Sequence, residues 1–243
     1  MIKFGTGGWR AIIGDDFIKE NICRLAQGLA DKMIAEKAVE NGLVIGFDRR
    51  FLSDSAAIWA AEVMAANGIK VYFIKRFAPT PLIMFQVKEM DTHYGMAITA
   101  SHNPSDYNGI KVFTRGGRDA SAEVTADLEG YIQKLNGYQS MEYAKAVQEG
   151  IIVEIDPMNE YVDAILSMID TQAIRKANLR VLIDPIFGVS KKALQTVLIS
   201  SRCEVDIIND RHDVLFGGRM PSPARDTLRT LRYTVMERGY DLG

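Results

Sequence analysis

The 243-residue sequence is poor in cysteine, in histidine and in charge imbalance, and each shortage removes a class of function. Its two cysteines, Cys23 and Cys203, stand far apart in apolar surroundings, which reads as two structural thiols and excludes a disulfide framework. Three scattered histidines, His93, His102 and His212, form no Cys/His cluster with zinc-site spacing. Lysine and arginine total 29 against 31 acidic residues, a formal net charge of −2, so nothing draws the whole chain to nucleic acid or to an anionic membrane. Any anion site must be local. No apolar run is long enough to cross a bilayer and no signal-peptide core opens the chain, so a cytoplasmic protein is expected. What remains, 47% hydrophobic and 25% charged, suits a core of normal size.

Two strand–helix–strand units organise the chain. Residues Phe17 to Lys37 carry apolar positions at helical spacing, and Leu43–Phe47 then reads as a short buried strand. A helix from about Asp54, with Ser53 as its N-cap and Asn67-Gly68 as its stop, leads to the strand Val71–Ile74. Met96–Thr99 and Ile110–Phe113 add two strands around a polar loop, and Ser121 caps a helix over Ala122–Leu135. The polar stretch 136–150 reads as a connection. Pro157 then opens a helix, and Val181–Asp184, a helix near Val189–Leu198 and Val205–Ile208 form the second unit. Asp48 and Asp184 each end a buried strand, an echo of fold between the two halves. The expected fold is α/β: a three-layer mixed-sheet domain over 1–150 with helices on both faces, then a second domain of similar βαβ type over 151–243. Gly239-Tyr240-Asp241-Leu242-Gly243 resembles the approach to a further strand, so this second domain is expected to be truncated.

Four loops could carry chemistry. Thr99-Ala100-Ser101-His102-Asn103-Pro104, followed by Asn108-Gly109-Ile110-Lys111, delivers a hydroxyl, an imidazole and an amide beyond a strand's carboxyl end, where α/β sheets bind ligands. By composition alone a polar surface turn is the commoner reading, with Asn103-Pro104 and Asn108-Gly109 as turn formers. As immediate neighbours, Ser101 and His102 are poor side-chain partners, and no Gly-x-Ser-x-Gly elbow surrounds the serine. The glycines of Gly5-Thr6-Gly7-Gly8-Trp9-Arg10 let backbone approach an anion, and Arg10 could bind phosphate through two parallel hydrogen bonds. This segment is neither a dinucleotide fingerprint nor a P-loop. Gly46-Phe47-Asp48-Arg49-Arg50 offers anion positioning or a tethering Asp–Arg pair. Pro79-Thr80-Pro81 reads as a rigid structural turn.

Taken together, Phe4–Arg10, Gly46-Phe47-Asp48-x-Arg50, Pro79-Thr80-Pro81 and above all Thr99–Pro104 with Asn108–Lys111 resemble the α-D-phosphohexomutases, over essentially the whole chain. The resemblance implies a phosphoglucomutase or phosphomannomutase, an isomerase that interconverts hexose 1-phosphate and 6-phosphate through a phosphoserine and a bisphosphorylated sugar. It makes Ser101 the phosphorylated residue and places Lys111, His102 and Arg10 in the proton-transfer and positioning set. Thr6, Gly7, Asp48, Arg50 and Asn103 follow as phosphate- or substrate-positioning residues. Lysine has an ordinary pKa of about 10.4, so Lys111 would need a downward shift to act as a base. The Gly7-Gly8-Trp9 form leans toward glucose- or mannose-phosphate mutases over the glucosamine type.

The resemblance also implies Mg2+, held by the phosphate on Ser101 and by an Asp-x-Asp-x-Asp-Arg loop, and a sugar bisphosphate as activator. That loop does not occur in these residues and is expected just past Gly243, so the parent protein is expected to turn over and this piece alone is not. The expected partner is a small hexose phosphate, with no nucleic acid or membrane. Two other readings stand beside it: a naturally short, non-catalytic sugar-phosphate binding module, and a serine hydrolase, which would need a base and an acid for Ser101.

Overall fold

The computed structural model describes residues 2–5 and 8–243. By contacts the chain divides into two units, Met1–Ala100 with Asp106–Asp156, and Ser101–Ser105 with Pro157–Gly243.

The first unit is built on a seven-stranded sheet. Its strands are β1 (Trp9–Ile12), β2 (Leu43–Phe47), β3 (Val71–Ile74), β4 (Tyr94–Ile98), β5 (Tyr107–Thr114), β6 (Arg118–Asp119) and β7 (Ile152–Ile155). The order is β1-β5-β4-β2-β3-β7, with β6 also paired to β5. β4, β2, β3 and β7 run parallel, while β5 runs antiparallel to both β4 and β1. The carboxyl ends of β2 and β4 and the amino end of β5 therefore share one edge.

Four helices cover one face: α1 (Lys19–Ala35), α2 (Ser53–Ala66), α4 (Ala122–Gln133) and α5 (Tyr143–Gln148). Their apolar stripes join Leu43, Ile45, Met96, Ile98, Ile110 and Val112 in one core. The alternate strand positions face α3 (Thr80–Glu89), which lies close because two of them are glycines. A Cβ on Gly46 would meet Ile83 at 2.6 Å, and one on Gly95 would meet Val87 at 2.2 Å. This is the α/β/α arrangement with a mixed sheet that the sequence predicts.

Several local expectations change. Pro79-Thr80-Pro81 is the start of α3, with proline in its first turn, where a missing N–H costs nothing. The stretch 136–150 contains α5, packed on α2 and β7. β7 extends the first sheet beside β3, so the sheet runs past position 150 and the contact boundary falls between Asp156 and Pro157. Asn108-Gly109 lies inside β5, and Arg10 rides on an edge strand whose Trp9 and Ala11 turn inward.

A charged cluster joins α1, α4 and β4. Lys32, 3% exposed, donates to Glu36 Oε1 at 2.6 Å and to Asp127, and Tyr94 Oη donates to Glu36 Oε2 at 2.6 Å. Both cysteines are buried and free, as the sequence predicts, and burial pushes the Cys23 thiol up to about 11.

The second unit holds α6 (Met158–Met168), α7 (Thr171–Ala177), β8 (Arg180–Ile183), α8 (Lys191–Ser200), β9 (Glu204–Ile207), a 3₁₀ turn (Phe216–Gly218) and α9 (Arg229–Arg238). β8 and β9 pair in parallel around α8, the predicted βαβ unit, and Leu242 bridges Val181. The echo between halves extends to the turns: Asp48 Oδ1 accepts from Arg50 N and Asp184 Oδ1 from Ile186 N, each at 2.9 Å. No helix among the described residues is long and apolar enough to cross a membrane.

Candidate active site

β4 ends at Ile98, and two buried residues, Thr99 and Ala100, lead to Ser101, which is exposed. Thr99 N donates to Gly109 O at 2.9 Å, which closes the β4–β5 hairpin below the loop. Ser101 has φ +58°, the left-handed region that costs a residue with a Cβ about 1–2 kcal/mol. Such strain persists where surrounding structure holds it, and it concentrates at functional sites. Its Oγ lies 3.3 Å from His102 Nδ1, so these neighbours do face one another, contrary to the sequence-based expectation. The left-handed turn at Ser101 is what brings consecutive side chains to one side. Asn103 is half-buried.

The Asp48 segment is a buried clamp at the same strand ends. Asp48 Oδ1 accepts from Arg50 N at 2.9 Å and from Ser53 Oγ at 2.7 Å. Burial raises the Asp48 carboxyl above the usual carboxylate range, against the pull of hydrogen bonds from Thr99, Arg50 N and Ser53 and of the Arg50 charge. Arg50 is 3% exposed and donates from Nη1 to Tyr107 O at 3.0 Å, with Nε 3.6 Å from Asp48 Oδ2. Burial lowers its pKa, Asp48 opposes this, and the Arg10 charge adds to the lowering. Of the two sequence readings of this segment, anion positioning or a tether, the buried contacts describe the tether.

Arg10 lies opposite Gly109 in the β1–β5 pair, half-exposed. Gly8 stands over the next rung, where a Cβ would meet Ile110 O at 2.8 Å and Lys111 Cα at 3.3 Å. Lys111 shares the α3 side of β5 with Gly109 by alternation, and its Nζ lies 3.1 Å from Asp119 Oδ1 on β6. Thr6 and Gly7 lie outside the described residues.

The sequence reading missed three participants. Ser53 looked like a helix cap, yet the N-cap of α2 is Leu52 at φ +64°, and the Ser53 hydroxyl goes to Asp48. Asn108 looked like a turn residue. Asp119 meets Lys111 only because Gly116 and Gly117, both at positive φ, fold β6 back on β5. No local sequence signal marks that pair. Among the described residues no three His, Cys, Asp or Glu side chains converge in a way that would hold a metal ion.

Residues 1–139 match the family described as "Phosphoglucomutase/phosphomannomutase, alpha/beta/alpha domain I", and residues 159–243 match its domain II. The chain is 30% identical over 242 residues to a phosphoglucosamine/phosphogalactosamine mutase of Sulfurisphaera tokodaii, covering 99% of this chain and 51% of that protein. It is also 30% identical over 222 residues to a phosphoglucomutase of Staphylococcus epidermidis, covering 84% and 40%. A solved structure from Thermus thermophilus, described as a phosphomannomutase, superposes with a TM-score of 0.86 at 27% identity, over 96% of this chain and 52% of that one. The chain spans about half the length of the curated relatives it matches.

Proposed function

The chain belongs to the phosphoglucomutase/phosphomannomutase family, and on that footing we propose that Ser101 is the phosphoryl carrier of a hexose-phosphate mutase. The observation that carries this reading is Ser101 itself, an exposed hydroxyl held at φ +58° just after β4, with an imidazole nitrogen 3.3 Å from its oxygen.

In the proposed step a bisphosphorylated hexose gives one phosphoryl group to Ser101. The bond from phosphorus to the sugar oxygen breaks as the bond from phosphorus to Oγ forms. The hydroxyl proton of Ser101 passes to an unprotonated His102 Nδ1, and one proton returned by the imidazolium makes the departing sugar oxygen a hydroxyl. The reverse step phosphorylates the other hydroxyl of a hexose monophosphate. Little covalent chemistry is available to the protein in such a transfer, so positioning and charge must lower the barrier. Lys111 and Arg10 supply positive charge for the phosphoserine, which carries about −1.5 to −2 at neutral pH. Arg50 acts by tying Tyr107, and so the return of the loop, to Asp48. Magnesium and a sugar bisphosphate activator remain part of the proposal for the whole protein, and no step here runs through the metal. The relatives' names span glucosamine, galactosamine, glucose and mannose phosphates, so the substrate is proposed as a hexose phosphate. Interconversion of the 1- and 6-phosphates is proposed for the whole protein and is not expected of this stretch alone.

The test is mass spectrometry of the Ser101 peptide, as purified and after incubation with hexose 1,6-bisphosphate and Mg2+. One added phosphoryl group on Ser101, lost in Ser101→Ala, is the expected result. An unmodified Ser101 under both conditions overturns the reading.

A further inference from the structure

The loop that carries Ser101 leaves the sheet at Thr99 and returns at Tyr107, and both attachment points belong to one buried hydrogen-bonded chain. Asn108, fully buried, donates from Nδ2 to Ser53 Oγ at 2.9 Å and to Phe51 O at 3.0 Å, and its Oδ1 accepts from Gly109 N at 2.8 Å. The amide orientation is forced, because Phe51 O can only accept and Gly109 N can only donate. Ser53, also fully buried, passes its own proton on to Asp48 Oδ1 at 2.7 Å. Asp48 in turn accepts from the Thr99 side chain. The direction of donation runs one way, from Asn108 through Ser53 to the carboxylate. Thr99 precedes the loop and Asn108 follows it, so a single chain of side chains holds both its ends.

We infer that Ser53 and Asn108 are positioning residues that hold the two ends of the Ser101 loop in register for phosphoryl transfer. The inference rests on the phosphoserine reading for its chemistry and on the buried network for its geometry. Ser53 forgoes the capping role its place at the start of α2 invites, and the N-cap passes to a left-handed leucine. Asparagine is required at 108 because the site uses both of its N–H donors and its oxygen. Aspartate would lose both donors and set a second carboxylate beside Asp48.

The test compares Ser53→Ala, Ser53→Thr and Asn108→Asp with wild type in the whole protein, well below the melting temperature. Two quantities are read: the rate of phosphoryl uptake by Ser101 from hexose 1,6-bisphosphate, and amide hydrogen exchange across 99–109. Small misplacements of reacting groups cost about a hundredfold. Ser53→Ala and Asn108→Asp are therefore expected to slow uptake ten- to a hundredfold and to speed exchange in 99–109 while α1 stays protected. Ser53→Thr, which keeps the hydroxyl, is expected to restore both. Uptake unchanged in the folded variants, or exchange accelerated equally in α1, overturns the inference. If wild type takes up no phosphoryl group the mutase reading fails, and the exchange arm still decides whether the network holds the loop.

Discussion

Lys111 Nζ lies 3.1 Å from Asp119 Oδ1, so the lysine proposed above as a counter-charge for the phosphoserine is already engaged by a carboxylate one strand away. A phosphorylated ligand that recruits Lys111 must compete with Asp119. The Asp119 side chain is 51% exposed, and pairs of that kind are worth about 0.2–1 kcal/mol.

Asp119→Asn is therefore expected to lower the bisphosphate concentration needed for half-maximal uptake by up to about fivefold, with little change in melting temperature. Lys111→Met is expected to slow uptake about a hundred- to a thousandfold, the scale of losing a preorganised charge at a reacting group. Saturation curves for the two variants check both statements. Equal behaviour of Lys111→Met and wild type would remove Lys111 from the reaction.

The left-handed turn at Ser101 gives a stability prediction that reads strain directly. Ser101→Gly and Ser101→Ala both remove the hydroxyl and should both abolish uptake. Glycine occupies φ +58° without penalty, so Ser101→Gly should exceed Ser101→Ala in stability by about 1 kcal/mol in chemical denaturation. An alanine variant as stable as the glycine variant would show that the turn stores no strain.

Two glycines of the sheet should respond differently to a single methyl group. A Cβ on Gly109 would meet Trp9 O at 2.3 Å and Thr99 O at 3.0 Å, both backbone atoms of neighbouring strands. A Cβ on Gly95 would meet chiefly the Val87 side chain. Gly109→Ala is expected to cost more than about 3 kcal/mol or to prevent folding, and Gly95→Ala about 1–3 kcal/mol, the usual cost of overpacking. Urea midpoints of the two variants decide the order.

The buried Lys32 predicts a signature at high pH. Burial pulls its pKa down, but hydrogen bonds to Asp127 and Glu36 outweigh burial and leave it above the ordinary value. A lysine raised in the folded state contributes stability that is full below its unfolded pKa, about 10.4, and is lost as pH rises beyond it. Glu36 and Asp127 are partly exposed and can be hydrated once the ammonium is gone, so Lys32→Met is expected to cost about 1–3 kcal/mol at neutral pH. The gap between wild type and variant should hold to about pH 10 and narrow above it. A gap independent of pH through 11 would refute the assignment.

What the sequence made legible followed from local pattern. Leu43–Phe47, Val71–Ile74, Val181–Ile183 and Glu204–Ile207 are short apolar or alternating runs between helical stripes, and the structure pairs them as parallel strands. Thr80–Glu89 was hidden because its two prolines mimic a turn and its buried stripe is thin, only Leu82, Ile83 and Val87. Asn108-Gly109 has turn-forming composition, and only the neighbouring strands explain it: the glycine admits the β1 backbone and the asparagine reaches α2. The loop around Ser101 was legible as a contiguous motif. The Ser53–Asn108 contact was not, because its partners stand 55 positions apart and neither side chain is unusual where it sits.

The one reversed strand of the sheet has a consequence for assembly. β2, β3 and β7 find their partners through crossovers that span whole helices, whereas β4 and β5 meet across the short connection 99–106. Loop closure over so short a span carries little entropic cost. The segment from Tyr94 to Thr114, serine and lysine included, can zip from its own turn while the parallel strands are still searching for neighbours. Ser101, His102 and Lys111 are thus carried on a self-contained stretch of the sheet, whereas Arg10 joins from β1.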